Sequence, residues 1–480
     1  MQAASQNGLY HKIVGLKIMK SIVLCLFILT PSLIGYSQNC NYNGTWNGSS
    51  CDCDPGWTGP DCSVLRVLPA APTSGYRPSN TDAWGASILK DDDGLYHMWV
   101  SVIDHNCDIE YWARNSKVIH ATSSNPEGPY SYQAEAFPVM AHEVDVKRGP
   151  NNNWVAFLTA GVDSDGHLAY SDYGAACICN PSTQQPTSSC DYGASTEPTV
   201  ICTASSPYGP WSDPIVILEP SSLLDGIDAN FSAVVHEDGS LIGLWRTYPS
   251  GSQVHWVTAS NYLDPASYTW QEQETSLFPA PYDGFTSEGL EDMFVYYDEN
   301  RDVYHAIFHD MVAQDGAPFY DGLGHAYSTD GVNWTYSGEA TTSHVHFTNG
   351  TTTTSARARP HFLIEDGQIT HLISAEQFDD NDWSYTLVEP IENTIVHTTE
   401  HPLNSDKIIS IYPQPSKGAV SLSSEYPIDK IHVYTPMGRK IKSFELKASY
   451  SFEFDLSTKG LFIVAIQLRN DLILKKIIIK

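Results

Sequence analysis

Positive charge is scarce in this sequence. The 480 residues hold 26 Lys+Arg against 56 Asp+Glu, a formal net charge of -30. Nucleic-acid binding needs a basic footprint, and adhesion to anionic lipid needs one too, so both partners are excluded. Long apolar runs are also rare. The run from Ile22 to Leu33 is too short to span a membrane, and the mature protein is expected to have no span. Sustained helical periodicity is missing, which argues against a helical fold. What is present in quantity is 12 Trp, 27 Tyr, 33 Gly and 29 Pro. Strand formers and turn formers in this mixture indicate an all-β chain.

The few basic residues are unevenly placed. Residues 406–480 carry 12 Lys+Arg against 7 Asp+Glu, whereas residues 39–404 carry only 3 Lys and 8 Arg. The tail is therefore a separate unit beginning near residue 405. At the other end, Met19-Lys20-Ser21 precedes the apolar run, and Ile34-Gly35-Tyr36-Ser37-Gln38 follows it. This is the pattern of a secretory signal peptide over residues 1–37, with the true start at Met19 and cleavage near Ser37–Gln38. Export through the periplasm makes disulfides permissible.

Residues 38–64 hold Cys40 and the run Cys51-Asp52-Cys53-Asp54-Pro55-Gly56-Trp57, closing at Cys62. The C-x-C, the Gly-aromatic pair and the final Cys resemble the C-terminal half of an EGF-like module. The resemblance implies bridges Cys40–Cys51 and Cys53–Cys62, with four cysteines in place of six. No further His or Cys set stands nearby to make the C-x-C a zinc site. The tail, residues 405–480, contains Ile411-Tyr412-Pro413-Gln414-Pro415-Ser416-Lys417-Gly418, Ile431-His432-Val433-Tyr434 with Met437-Gly438-Arg439, and Leu456 to Phe462. It resembles the C-terminal sorting domain of the type IX secretion system. That implies a small β-sandwich, export by the type IX machinery, and a secreted or surface-attached product.

Residues 65–404 repeat one pattern five times: an apolar strand, a polar turn and a second apolar strand. The copies are Ser87–Trp99, Val144–Leu158, Phe231–Trp245, Phe294–Phe308 and His361–Ile373. Ala121-Thr122-Ser123 with Gly128-Pro129-Tyr130 is echoed by Ala204-Ser205-Ser206 with Gly209-Pro210-Trp211. Looser copies run from Ala259 to Trp270 and from Ala326 to Trp334. Units of this length suit the blades of a propeller. The arrangement resembles the five-bladed β-propellers of glycoside hydrolase family 43. The resemblance implies a central funnel at the start of each innermost strand, where that family carries its catalytic acids.

Placed in register, the five hairpins bring other residues to those positions. Blade one offers Trp84-Gly85-Ala86 where the family has its general-base Asp. Blade two offers His142-Glu143, blade three Asp228-Ala229-Asn230, blade four Glu291-Asp292, and blade five Arg357-Ala358-Arg359-Pro360. Ends of the second strands add Asp104-His105, Arg246, His309-Asp310 and Glu376. Arg makes bidentate contacts with carboxylate or sulfate, so Arg246, Arg357 and Arg359 suggest an anionic oligosaccharide such as a uronate sugar. A uronate permits β-elimination, because the C5 proton lies beside its carboxylate. Under that reading the three Arg hold the carboxylate, His142 or His309 takes the proton, and Glu291, Asp292 or Tyr248 donates one. Asn230, Asp228, Trp84 and His105 would complete the binding surface.

The phrases Glu291-Asp292-Met293-Phe294, His309-Asp310-Met311, Gly324-His325-Ala326 and Arg359-Pro360 resemble a group of exported proteins joining an EGF-like module to this propeller. That group includes the oligosaccharide dehydratase of ulvan breakdown. The resemblance implies water loss from a non-reducing-end uronate, giving a 4,5-unsaturated sugar. A family 43 type glycoside hydrolase and a non-catalytic glycan-binding protein are the alternatives. The sequence establishes no cofactor and leaves the metal requirement open. Asp91-Asp92-Asp93 would suit Ca²⁺ but reads better as a solvated turn. Cys177, Cys179, Cys190 and Cys202 suit two bridges in an inserted loop of blade two, leaving Cys107 unpaired, although the sequence does not fix their pairing.

Overall fold

The computed structural model describes residues 39–168, 176–190, 197–219, 229–247, 253–271, 277–278, 289–310, 322–377, 383–393, 409–413, 415–435, 440–468 and 471–480. The chain is all-β. Four antiparallel sheets of four strands and one of three, each running outward in chain order, form five propeller blades. Their innermost strands are Ala83–Lys90, Ala141–Arg148, Ala229–Val235, Leu290–Asp298 and Ala356–Glu365. Each is followed by a tight hairpin. In blade one, Asp91 Oδ1 closes the turn by accepting from the backbone N–H groups of Asp93 at 3.0 Å and Leu95 at 2.8 Å. Asp91 Oδ2 faces His97 Nε2 at 3.0 Å, and the Asp92 side chain is 88% exposed. The segment Asp91-Asp92-Asp93 is thus a hairpin turn.

Apolar cores fill the seams between neighbouring blades. Trp99, Val118 and Phe137 of blade one meet Val144, Trp154 and Val200 of blade two. Equivalent clusters join blades two and three, three and four, and five and one. Closure of the ring uses the N-terminal segment of the body. Tyr76 and Thr386 exchange backbone hydrogen bonds of 2.9 and 3.1 Å, and Leu68 N–H donates to Pro390 O at 2.8 Å. The outer edge of the three-stranded fifth blade is therefore covered by chain from before the first, which removes an exposed edge.

The EGF-like module is stapled by Cys40–Cys51 and Cys53–Cys62. It packs on the ends of blades four and five away from the strand starts. Trp57 lies 4.8 Å from the His325 ring, and Arg301 grips Asp54 through two bonds of 2.6 Å. The two remaining described disulfides are Cys107–Cys179 and Cys177–Cys190, while Cys202 is free and buried. This corrects the expected pairing. Cys202 sits buried inside a strand opposite Ala156, with every other described cysteine bridged elsewhere, and Cys107 instead ties a blade-one loop to the blade-two insertion.

The sorting tail is hydrogen-bonded as one five-stranded sheet. Strand Ala419–Tyr434 serves both halves, pairing with Ile409–Tyr412 at its start and Gly460–Leu468 at its end. Val420, Ile431, Val433, Phe454, Val464 and Ile477 close over one another as its core.

Candidate active site

Every innermost strand begins with the same irregularity. Its register against the second strand slips by one residue, at Gly85, Glu143, Asn230, Asp292 and Arg359. At each slip φ is positive: 62°, 56°, 59°, 56° and 46° in that order. A bulge of this kind re-aims a side chain, so five bulges turn one position per blade toward the axis. Left-handed backbone costs a non-glycine residue about 1 kcal/mol. Four of the five residues bear that cost and are held by bonds to one another.

Asn230 is the hub. Its backbone N–H donates to Glu143 Oε2 at 2.6 Å, and its Nδ2 donates both to Glu143 Oε1 and to Asp292 Oδ1, the latter at 2.6 Å. Arg246 Nη1 donates to Asn230 Oδ1 at 3.0 Å, which fixes the orientation of the amide. Arg246 Nη2 stands 3.0 Å from Glu291 Oε2, and His309 Nδ1 lies 3.2 Å from Glu291 Oε1. Arg359 closes the ring: its N–H donates to Asp292 Oδ2 at 2.9 Å, and Nη2 donates to the carbonyl of Glu143. Glycine is required at the fifth position. A Cβ on Gly85 would overlap Arg359 Cγ, so blade one gives its axial space to the Arg of blade five.

The carboxylates of this floor differ sharply. Burial raises Glu143 to about 7, with Arg359 opposing and Asp292 adding to the rise. Burial and the Glu291 charge raise Asp292 as well. Burial would also raise Glu291, but Arg246 and His309 outweigh it and hold the group at about 2. Glu143 is therefore still protonated in part of the molecules near neutral pH, while Glu291, with a side chain 21% exposed, is ionised.

A second polar layer lies beneath, two residues along each strand. Ser232 Oγ donates to Asp145 Oδ2 at 2.6 Å and accepts from Val295 N–H at 2.8 Å. His361 Nε2 lies 3.4 Å from Asp145 Oδ1. Ser87 Oγ accepts from Val146 N–H at 2.9 Å. Lys147 Nζ donates to Val295 O at 2.8 Å and sits 3.6 Å over the Phe294 ring. These bonds tie innermost strands of different blades together and make the floor rigid.

The expected site residues are distributed as follows. Arg246, Asn230, Glu291, Asp292, His309 and Arg359 converge. His142 is beside them, with Nε2 3.8 Å from Glu143 Oε1, but burial and Arg359 lower it to about 3. It stays neutral near pH 7, with Nδ1 engaged by Ser116 Oγ at 2.6 Å. Arg357 does not converge. Its guanidinium is 1% exposed and is committed to Glu389 and to the carbonyl of His344. It is a structural cation of blade five, so the expected three-Arg clamp has two members at the floor. Trp84 is half-buried one residue before the bulge, and His105 is exposed in the turn after the second strand of blade one. Asp228 and Tyr248 lie outside the described residues. Glu143 was the neighbour of the expected His142. Its offset from the hairpin, shared with Asn230, Asp292 and Arg359, is the signal that distinguishes it.

Glu291, Asp292 and His309 each bring one ligand atom within 4.8 Å of the others, a geometry that could take a cation. Arg246 already stands against Glu291 on that side. Among the described residues no helix is long and apolar enough to cross a membrane.

Residues 410–480 match the secretion system C-terminal sorting domain, and residues 37–65 match a Teneurin-like EGF domain. The sorting domain marks the chain for export to the surface or the medium. No curated protein matches. Similar solved structures include an endo-arabinase from Bacteroides thetaiotaomicron (14% identity, 65% of this chain and 94% of that one, TM-score 0.41). An endo-arabinanase of glycoside hydrolase family 43 from Bacillus licheniformis is similar at 13% identity, 66% and 96% coverage, TM-score 0.41. The α-L-arabinofuranosidase PaAbf62A from Podospora anserina follows at 9% identity, 67% and 98% coverage, TM-score 0.43. These likenesses transfer no residue role to this chain.

Proposed function

We propose that this chain is an exported carbohydrate-active enzyme that breaks a glycosidic bond at the funnel floor. Glu143 is the proton donor and Glu291 the base. The observation that carries this is the unlike setting of two carboxylates in one bonded network: Glu143 is buried against Asn230, which itself bonds Asp292, and is raised, whereas Glu291 stands 3.0 Å from Arg246 and 3.2 Å from His309 and is lowered. Environments that push two carboxyl groups apart define an acid and a base. Protonated Glu143 gives its proton to the departing glycosidic oxygen. Ionised Glu291 takes a proton from the attacking water, and Arg246 keeps it charged until then. Asn230 holds Glu143 in place, and Asp292 in turn accepts from the Asn230 amide. This pair is the chain's own, because the resemblance puts the family 43 base within Trp84-Gly85-Ala86, where this chain has no carboxylate and Arg359 folds over Gly85.

One observation favours a second reading, β-elimination on a uronate. Arg246 stands 3.0 Å from Glu291 and His309 stands 3.2 Å from the same carboxylate, so a guanidinium and a potential base face one point. There Arg246 would neutralise the sugar carboxylate, His309 would remove the C5 proton, and Glu143 would protonate the group leaving C4. If that group is hydroxyl, water is lost and a 4,5-unsaturated sugar remains, as in the dehydration of ulvan-type sulfated oligosaccharides.

Incubation of the mature protein with neutral, uronate and sulfated uronate oligosaccharides separates these outcomes. Products that sum to substrate plus one water, with new reducing ends, support hydrolysis. Ultraviolet absorbance from a new C4–C5 double bond, with loss of one water and no chain cleavage, would replace it with dehydration. Binding without any product would make the chain a glycan-binding protein.

A further inference from the structure

We propose that Trp112 is a sugar-stacking platform on the funnel rim and makes the site selective for oligosaccharides over single sugars. This rests on the reading of the floor as a carbohydrate site. Trp112 opens the single-turn helix Trp112–Asn115, in the loop between the second and third strands of blade one. Tyr111, Ala113, Arg114 and Asn115 around it are buried, whereas Trp112 is half-buried and keeps part of its ring accessible. Its ring stacks on His142, with centroids 4.8 Å apart and planes 25° apart. His142 in turn lies 3.8 Å from Glu143. An indole face is therefore placed one ring beyond the proton donor.

That position is over-determined. Ser116 Oγ bonds His142 Nδ1 at 2.6 Å, so the turn that carries Trp112 also grips the ring beneath it. Asn115 reads the backbone of Cys177 in both directions, donating from Nδ2 to its carbonyl at 2.8 Å and accepting its N–H at 3.0 Å. The Cys107–Cys179 and Cys177–Cys190 bridges pack behind, in a cluster against which Trp112 rests. An aromatic anchor gains affinity from being pre-ordered, because little entropy is then lost on binding. His142 is buried beneath the indole and uncharged near neutral pH, so the accessible part of Trp112 presents an apolar surface to the carbon face of a sugar ring. A sugar reacting at Glu143 would leave its neighbour against Trp112. A monosaccharide derivative would not reach both.

The test compares the intact protein with Trp112→Ala and Trp112→Phe, each also in a Glu143→Gln background to stop turnover. Binding of a disaccharide-to-tetrasaccharide series, neutral and uronate-containing, is measured by calorimetry, together with KM, kcat and Tm. The expected result is a rise of about 30-fold in Kd and KM for Trp112→Ala on the longer sugars, the size of an interface anchor. Its kcat and Tm stay near wild type, its preference for longer sugars disappears, and Trp112→Phe stays within about threefold. Unchanged Kd in Trp112→Ala overturns the platform while leaving the floor chemistry standing. Equal losses in the Ala and Phe variants, with a lowered Tm, overturn it in favour of a packing role. Binding of no sugar by wild type overturns the platform together with the carbohydrate reading. Binding without turnover, unaffected by Glu143→Gln, removes the chemistry but keeps the platform if the Trp112 pattern holds.

Discussion

Gly85 and Arg359 share one space: a Cβ on Gly85 would overlap Arg359 Cγ and stand 2.5 Å from its Cβ. The absence of a side chain in blade one and the presence of an Arg in blade five are thus one feature. Gly85→Ala should force Arg359 away from Asp292 and Glu143, and the positive φ at position 85 adds backbone strain. Overpacking of this kind costs about 1–3 kcal/mol. Tm should fall by several degrees and activity should fall with it. Arg359→Gly added to Gly85→Ala should recover part of the lost Tm, because the contacts with both Cβ and Cγ are then gone. Two losses that simply add would show the residues to be independent.

Glu143 and Glu291 should respond differently to pH and to amide substitution. Glu143→Gln should lower kcat by about 10²–10⁴ and remove the alkaline limb of the rate profile near pH 7. Glu291→Gln should lower kcat similarly but leave that limb in place. A wild-type profile flat from pH 5 to pH 9 (limits chosen about two units either side of 7) would contradict the assignment of Glu143 as the acid.

Arg357 and Arg246 should separate by what is lost. Arg357 is fully buried against Glu389, so Arg357→Met leaves a buried carboxylate without its partner, costing about 3–5 kcal/mol. Tm should drop while the kcat of the folded fraction holds. Arg246→Met touches the more exposed Glu291, so kcat should drop and Tm should hold. Denaturation curves and kinetics on both variants check this pair.

Blade number and hairpin positions were legible in the sequence because alternation and turn residues report directly on strands. All five axial residues also fell inside the short windows that hairpin register allows. The choice within each window was not legible. It depends on a one-residue bulge, and a bulge reverses which of two neighbours faces the axis. His142 and Glu143 show this, since the bulge gives the axis to Glu143 and sends His142 under Trp112. Arg357 shows the same, two residues before the bulge at Arg359. Trp112 and the Cys107–Cys179 bridge were hidden for another reason. They join loops of different blades, and no local pattern reports on such a contact.

Stability should depend on pH through two opposed sets of buried groups. Glu143 and Glu376 are raised by burial to about 7, above their unfolded values. Their contribution is present at low pH and is lost as pH rises through 7. His142 and His305 are lowered by burial to about 3, and His120, His255 and His371 to about 4. Their contribution is present above about 6.5 and is lost as pH falls toward those values. Tm should therefore peak near about pH 6 and fall more steeply on the acid side, where more groups act. Glu143→Gln with Glu376→Gln should flatten the alkaline fall alone. Thermal scans across pH measure both slopes.

The rim should be weakened by cutting one bridge. Cys107 and Cys179 are 72 residues apart, and closing a loop of that length stabilises by about 4 kcal/mol in the chain-entropy picture. Cys107→Ser with Cys179→Ser should lower Tm accordingly. It should also raise KM for longer sugars, because the loop carrying Trp112 loses its tether to blade two while the floor residues keep theirs. Non-reducing peptide mapping should recover Cys107–Cys179 and Cys177–Cys190 as separate links. Cys202 should resist alkylation until the chain unfolds, since burial pushes its thiol up to about 12. A Cys177–Cys179 or Cys190–Cys202 link in that map would contradict the tether, and with it the reason Trp112 stays in place.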